Sequence, residues 1–427
     1  MVTRIKTAVV WVSVVAMALA FGCAQPPEAP VVESAMTEVA GPTADWPQWR
    51  GPERNGVATS LEGLAEGFGA EYPAEVWRRP IGDGFAGIAV AGGVVYTLAA
   101  DVDSETESLL ALAARTGEEQ WAVSLGPTLM ESHGNGPRSA PAVMDDTVYA
   151  LGSQGRLLAV ALDGSERWRF DFAPPPTWGY AASPLIEGDV VIVHGRLADG
   201  AAGVVHGFDR TTGALEWSAG EGGVGYGSPL GVEIDGVRQV ASFVGSGLIG
   251  VDPTNGDVLW RHPWDTSYDV NAAEPVVIAP DRLYLSSGYG VGAAVIEVSR
   301  DGEAWRVEEI WRGRQMKNHF SSSVLVDGVI YGFDNSVIKA IRAEDGLELW
   351  KARGFGKGSI VVSGEHLLVL GERGELGLVE ANPEAFVELG RVRVLEGRSW
   401  TPPSVAGRWF FARNHDEIVA LILVGDD

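Results

Sequence analysis

A set of cationic, aromatic and amide side chains recurs at the start of short apolar segments, and these residues are the best suited to bind a ligand. The segments open on small residues, often followed by proline, as in Ala140-Pro141 and Ser228-Pro229. Cations and aromatic rings together suit an anionic or carbonyl-bearing ligand, through charge-assisted hydrogen bonds and contacts with the ring faces. The candidate ligand-binding residues are Arg138, Tyr180, Tyr226, Asn271, Glu274, Lys317, Asn318, His319, Lys357 and Trp400.

Lysine is rare in this sequence, which draws attention to two of these candidates. The chain has five lysines, at positions 6, 317, 339, 351 and 357, and a formal net charge of −25. Two interpretations of the cations stay open. They bind a ligand, or Lys317, Lys357 and Glu274 form a structural ion network that fills a central channel.

Other functional signatures are weak or missing from the sequence. Because Cys23 is the only cysteine, the rest of the chain has no disulfide and no thiolate metal site. The seven histidines show no His-Glu-x-x-His spacing, and no Gly-x-Ser-x-Gly elbow occurs. The letters of Gly245-Ser-Gly-Leu-Ile-Gly250 match a dinucleotide fingerprint, but no helix is predicted after them, so we interpret them as a hairpin turn. The strongly acidic charge opposes nucleic-acid binding.

The elements that position these side chains come from a repeated unit. The unit has an apolar-x-apolar strand, a turn with Asp or Thr and usually Gly, and a tryptophan in the next strand. Five clear copies occur, at Leu110–Trp121, Leu158–Trp168, Val205–Trp217, Ile249–Trp260 and Ile338–Trp350. A second alternating hairpin precedes each copy, as at residues 141–151 and 323–333. One repeat is therefore a four-stranded antiparallel meander.

The spacing of the marker residues predicts the number of repeats. Seven tryptophans, at 77, 121, 168, 217, 260, 311 and 350, and Leu389 mark eight outer strands. Trp77 has no meander before it, whereas residues 400–423 supply strands without a closing tryptophan strand. The sequence therefore predicts an all-β fold, an eight-bladed β-propeller over residues 46–427, in which residues 75–79 complete the last blade. The candidate residues then lie on loops around one mouth of the central channel. Trp46 and Trp49 are expected to pack the N-terminal segment against a blade or the channel mouth.

The N-terminus has the pattern of an export signal. Arg4 and Lys6 precede an apolar run over residues 7–21, which predicts a signal peptide at residues 1–22. The letters Leu19-Ala-Phe-Gly-Cys23 resemble a bacterial lipobox, which implies lipidation of Cys23. Residues 23–45 are then a lipid-anchored flexible tether, and the protein is exported to the periplasmic face of the outer membrane or to the cell surface. Simple cleavage of the signal and an uncleaved anchor remain alternatives.

The repeat resembles that of the pyrroloquinoline-quinone-like (PQQ-like) propeller family, whose hallmark is the Gly-x-x-x-Trp turn. Further segments similar to members of that family are Trp46-Pro-Gln-Trp-Arg-Gly-Pro52, 316–323, 356–359, 373–376 and 400–403. The family includes quinoprotein dehydrogenases and a propeller lipoprotein that assists outer-membrane-protein assembly.

The resemblance leaves several functions open. The dehydrogenases of the family use adjacent cysteines, calcium and a catalytic Asp, and this chain lacks the cysteine pair. We therefore expect a non-catalytic protein that binds a protein or peptide partner on its loop face. The alternatives are a PQQ-dependent alcohol or sugar dehydrogenase that uses calcium, and a protein that binds a small molecule or glycan without turnover.

Overall fold

The computed structural model describes residues 40–101 and 103–425. The predicted signal peptide, Cys23 and the first part of the tether lie outside these residues. No helix in the described ranges has the length and apolar character needed to cross a bilayer. Residues 40–45, which were assigned to the tether, contact the propeller: Ala40 O accepts a hydrogen bond from Trp409 Nε1 at 3.1 Å, and Asp45 Oδ1 accepts one from Gly92 N at 3.1 Å.

The chain folds into eight antiparallel sheets arranged as an eight-bladed propeller, as the sequence predicted. Three short elements come first: β1 (Val57–Ala58), the helical turn α1 (Leu64–Gly67) and β2 (Ala74–Pro80). Blades 1 to 4 follow, each from inner to outer strand. Blade 1 consists of β3 (Ile88–Ala91), β4 (Val94–Asp101), β5 (Thr106–Ala113) and β6 (Glu119–Pro127), and blade 2 consists of β7 (Ala142–Met144), β8 (Thr147–Leu151), β9 (Arg156–Ala161) and β10 (Glu166–Asp171). Blade 3 consists of β11 (Leu185–Glu187), β12 (Val190–His194), β13 (Val205–Asp209) and β14 (Leu215–Ala219), and blade 4 consists of β15 (Leu230–Ile234), β16 (Val237–Val244), β17 (Gly247–Val251) and β18 (Val258–Pro263).

Blades 5 to 8 repeat the same meander. Blade 5 consists of β19 (Val276–Ala279), β20 (Arg282–Ser287), β21 (Gly292–Asp301) and β22 (Ala304–Gly313), and blade 6 consists of β23 (Val324–Val326), β24 (Val329–Asp334), β25 (Val337–Arg342) and β26 (Glu348–Ala352). Blade 7 consists of β27 (Ser359–Ser363), β28 (His366–Leu370), β29 (Glu375–Glu380) and β30 (Glu388–Arg393). Blade 8 consists of β31 (Ser404–Ala406), β32 (Trp409–Arg413) and β33 (Glu417–Ile422), with β2 as its outer strand. A short 3₁₀ turn, Ser267–Asp269, lies between blades 4 and 5.

The marker tryptophans join neighbouring blades. Each stands in an outer strand opposite a residue of the third strand that is small in most blades, such as Gly250 opposite Trp260. In most blades the indole N–H donates to a carbonyl in a turn of the next blade, as from Trp121 to Leu162 O at 2.8 Å and from Trp168 to Arg210 O at 2.9 Å. The Gly-x-x-x-Trp pattern thus records both a hairpin turn and a contact between blades.

The last blade, which closes the ring, combines a strand that precedes blade 1 with the three strands that follow blade 7. Strand β2 pairs antiparallel with β33, so the predicted role of residues 75–79 is confirmed. The buried Arg413 of β32 donates to Leu98 O at 2.5 Å and to Gly82 O at 3.0 Å, both in the first blade or the loop before it. Closure protects the edges that an open sheet would expose.

Residues 46–58, called here the axial segment, lie among the inner strands of several blades. The buried Trp46 forms an isolated bridge with Val90 of blade 1. Strand β1, at the end of the segment, pairs parallel with β27 of blade 7. The segment therefore occupies the centre of the ring, where the inner strands converge.

Candidate functional site

The loops before the inner strands surround a cavity of about 290 Å³ at one mouth of the channel. The loop before the first strand of every blade contributes at least one residue, and Trp49 of the axial segment joins them. This mouth cavity is lined by Trp49, Phe85, Glu131, His133, Arg138, Trp178, Ala181, Tyr226, Ser228, Val270, Ala272, Tyr289, His319, Phe320, Lys357, Trp400 and Pro402.

Aromatic rings form two groups on the walls of the mouth cavity. Trp400 stacks on Phe85 with ring centroids 5.3 Å apart, and it also contacts Phe320 at 4.9 Å. Trp178 contacts Tyr226 at 5.7 Å. Tyr289 lines the cavity and is 48% exposed, so part of the aromatic surface faces solvent. Such walls can cover an apolar group and can also interact with a cation or a ring.

Among the described residues, Lys357 is a cation without a carboxylate partner, and it lies in this aromatic setting. Its Nζ lies 5.6 Å from the ring centroid of Phe320 and 5.9 Å from that of Trp400. Within the described ranges, no carboxylate oxygen lies within 4.0 Å of Lys357 Nζ. The ammonium group can therefore accept an anionic partner from outside the chain.

His319 orients the ammonium group of Lys357. The Nδ1 atom of His319 lies 3.4 Å from Lys357 Nζ. Burial lowers the pKa of His319 to about 4, and the positive charge of Lys357 acts in the same direction. The imidazole is thus neutral near pH 7. Since an ammonium group only donates, Nδ1 accepts the hydrogen bond and Nε2 carries the proton as a second donor.

Glu372 does not line the cavity, but it holds two of the lining residues in place through hydrogen bonds. Its carboxylate accepts a hydrogen bond from Trp400 Nε1 at 3.0 Å and another from the backbone N–H of Lys357 at 3.2 Å. The acceptor fixes the plane of the Trp400 ring and the start of the Lys357 side chain. The sequence analysis missed Glu372, although it lies directly before the motif at residues 373–376.

Arg138 lines the cavity, but its charge is already paired. Its Nη2 lies 2.5 Å from Glu131 Oε1, and its Nε donates to Trp178 O at 2.7 Å. Burial lowers the pKa of Arg138, while Glu131 opposes that shift. The side chain also lies 5.4 Å from the ring centroid of Phe85. Arg138 therefore ties neighbouring loops together more than it offers a free charge.

The structure brings five of the ten predicted residues together and places five elsewhere. Arg138, Tyr226, His319, Lys357 and Trp400 line the mouth cavity. Whether they bind a ligand stays a prediction.

Three predicted residues are corrected because their polar groups serve the core. Tyr180 is 2% exposed, and its hydroxyl donates to Ala173 O at 2.9 Å. Asn271 and Asn318 are fully buried, and their amide groups donate to the carbonyls of Val244 and Phe333. These contacts turn the three side chains into the blades, away from the cavity.

The remaining two are corrected because each has an ion-pair partner away from the cavity. Lys317 Nζ lies 2.6 Å from Asp334 Oδ1. Glu274 lies between two arginines of the axial segment, Arg50 and Arg54. The alternative interpretation, a single ion network of Lys317, Lys357 and Glu274, is also wrong, since the three residues have different neighbours.

Several cavity residues were missed by the sequence analysis. Phe85 lies before Ala86-Gly87, the blade-1 equivalent of the small residues used to align the loops, so extending that alignment would have found it. Phe320 directly follows His319. Tyr289 comes from the hairpin between β20 and β21, for which the repeat pattern gave no signal.

The donor groups of the mouth cavity do not fit a calcium ion that holds a quinone. Within the described residues, no cluster of three or more His, Cys, Asp or Glu side chains could hold a metal. Among the residues lining the mouth cavity, Glu131 is the only carboxylate, and it is paired with Arg138. Calcium requires six or more oxygen ligands, with carboxylates prominent among them.

Comparison with known proteins identifies relatives of the repeat and of the fold. A family model described as outer membrane protein assembly factor BamB matches residues 58–169 and 105–352. No curated protein gives a significant sequence match.

Solved structures with a similar fold have low sequence identity to this chain. The computationally designed Ika8 protein has a TM-score of 0.53 at 12% identity, covering 85% of this chain and 98% of that one. A europium-containing methanol dehydrogenase has a TM-score of 0.53 at 11% identity, covering 88% and 89%. BamB from Moraxella catarrhalis has a TM-score of 0.40 at 17% identity, covering 79% and 82%. For the designed protein and the methanol dehydrogenase, identities this low show a shared fold alone.

Proposed function

The chain belongs to the family of the outer membrane protein assembly factor BamB, and from this premise we propose that it is a non-catalytic protein that binds a partner protein at its mouth cavity. The partner inserts a short segment that carries an acidic side chain beside apolar residues. The observation that carries this proposal is the ammonium group of Lys357, which lies among aromatic rings and has no carboxylate partner in the part of the chain that the structure describes.

The chemistry of the mouth cavity supports such a segment. A carboxylate could accept hydrogen bonds from Lys357 Nζ and from His319 Nε2, while the rings of Trp400 and Phe320 cover the neighbouring apolar groups. A hydrogen bond to a charged group contributes about 1.5–3 kcal/mol. Tyr268 is 75% exposed and lies 5.9 Å from Trp178, so the aromatic surface extends beyond the cavity toward a larger partner.

We also propose that the protein is exported and anchored to a membrane by lipid. The family name and the lipobox-like residues at Cys23 support export and lipid anchoring on the periplasmic side of the outer membrane. Replacement of Cys23 by serine is then expected to move the protein from the membrane fraction to the soluble fraction. Retention of the variant in the membrane would contradict lipid anchoring.

Photo-crosslinking in living cells tests the location of the partner surface. A photoreactive amino acid replaces Tyr268 or Tyr289 at the mouth, and matched controls replace Leu162 or Leu347, which are also exposed but lie in turns of the opposite face. We expect a discrete protein adduct from the mouth positions and none from the controls. Equal adducts from both faces would exclude the mouth as the binding surface.

A pair of synthetic peptides tests the chemistry. Acetyl-Phe-Glu-Phe-amide and acetyl-Phe-Gln-Phe-amide differ in one charge, and titration calorimetry measures the binding of each. We expect the acidic peptide to bind more tightly than the neutral one. The substitution Lys357→Met should lower the affinity for the acidic peptide by about 10–100-fold and have little effect on the affinity for the neutral peptide. If Lys357→Met weakens both peptides equally, or neither, the role given to Lys357 is wrong.

A further inference from the structure

A second, much smaller cavity lies beside the axial segment and differs from the mouth cavity in its size and in the charges around it. Its volume is about 20 Å³, and its lining includes Trp49 and Arg50 of the axial segment, Ser322 before blade 6, and Ser359 of blade 7. A space of this size holds one water molecule or one monatomic ion.

The unpaired polar atoms of this cavity can donate hydrogen bonds. Arg50 is 7% exposed and Ser359 is 5% exposed, and in the described part of the chain neither Arg50 Nη1 nor Ser359 Oγ has a hydrogen-bond partner. Ser322 Oγ accepts from Glu274 N at 2.9 Å, which leaves its own proton free to donate. Three donors from three parts of the chain thus border one small space.

The charges around the cavity do not balance. Glu274 lies between two buried guanidinium groups, with its carboxylate oxygens 3.6 Å from Arg50 Nε and 3.5 Å from Arg54 Nε. Two cations and one carboxylate leave one excess positive charge when Glu274 is ionised. Burial raises the pKa of Glu274 to about 7, so part of its charge is lost near neutral pH and the excess grows. An uncompensated charge in a buried site is costly.

We propose that this cavity binds one monovalent anion of halide size, chloride in cells, held by Arg50, Ser322 and Ser359. The anion accepts hydrogen bonds from all three donors and offsets the excess charge of the two arginines. A neutral water molecule could hydrogen-bond to the same groups but would not offset the excess charge, and a tetrahedral oxyanion is too large. The anion links the axial segment to blades 6 and 7. This inference does not depend on the proposed partner binding.

Thermal unfolding of the full folded protein measures the effect of the anion. Sodium chloride is compared with sodium isethionate at equal ionic strength, so that screening is the same in both. At a hundredfold excess of chloride over its dissociation constant, we expect Tm to rise by about 3 °C, since the ion binds the folded state only. Sodium bromide should act like chloride, and a bromide-soaked crystal should show an anomalous peak between Arg50 and Ser359.

Two serine variants separate the anion site from a general salt effect. Ser359→Ala removes one donor and is expected to lose most of the chloride-dependent rise in Tm. Ser242→Ala is the control, because Ser242 is also buried with an unpaired hydroxyl but lies in blade 4, away from the cavity. Equal Tm values in chloride and isethionate, or an unchanged chloride effect in Ser359→Ala, would overturn the proposal.

Discussion

A buried histidine on the second strand of blade 3 gives a stability prediction whose size follows from the structure. His194 ends β12, is 1% exposed, and has no hydrogen-bond partner at either ring nitrogen in the described residues. Burial lowers the pKa of His194 to about 3, and the charges of His206 and Arg54 act in the same direction, whereas the nearby backbone of Val224 opposes the shift. The imidazole is therefore neutral in the folded protein throughout the physiological range.

The sign and size of the effect follow from proton linkage. An unfolded histidine has a pKa near 6.5, so below that pH the unfolded state binds a proton that the folded state does not. The contribution of His194 to stability is complete above about pH 6.5 and is lost as pH falls toward about 3. At pH 5 the loss is about 2 kcal/mol, and at pH 8 it is near zero. A variant with leucine at position 194 has no proton to bind and avoids this loss.

Denaturant unfolding at pH 8 and pH 5 measures the prediction. The free energy of unfolding of His194→Leu minus that of the natural protein should be about 2 kcal/mol larger at pH 5 than at pH 8, which means that the variant gains relative stability in acid. The other histidines titrate in both proteins and cancel in the comparison. His194→Gln packs differently from the leucine variant but should show the same change between the two pH values. If the difference between variant and natural protein is the same at both pH values, His194 is not buried and neutral in the native state.

Two further substitutions test the packing of the ring. A Cβ atom at Gly250 would lie 2.1 Å from Trp260 Nε1, so Gly250→Ala should destabilise by about 1–3 kcal/mol through overpacking. Gly236→Ala is the control, because Gly236 lies in a turn with open space around it and the substitution there introduces backbone strain alone. An equal loss of Tm in both variants would show that the contact with Trp260 does not cause the destabilisation. Arg413→Lys should destabilise by about 3–5 kcal/mol, because an ammonium group cannot replace the buried guanidinium that donates to Leu98 O and other carbonyls. An unchanged Tm would show that this link between blades 8 and 1 is dispensable.

The sequence determined the blade count, the meander in each blade and the closure of the ring. These features were predictable because the repeated turn and its tryptophan are local signals, each written within about a dozen residues. Trp77 could be assigned to the last blade because it lacked a meander of its own. The loops at the mouth were predictable for the same reason, since alternation along a meander decides which connections share a face.

Only the tertiary structure decided which loop side chains reach the mouth cavity and what lies beneath it. Lys357 and Lys317 occupy similar loops, yet one faces aromatic rings and the other pairs with Asp334, because the direction of a side chain in an irregular loop depends on its neighbours in space. The contacts of the axial segment were even less predictable from the sequence. Arg50 and Glu274 are more than two hundred residues apart in sequence, and no periodic signal connects them. They meet because a closed ring brings all of its inner strands, and whatever crosses its centre, to one axis.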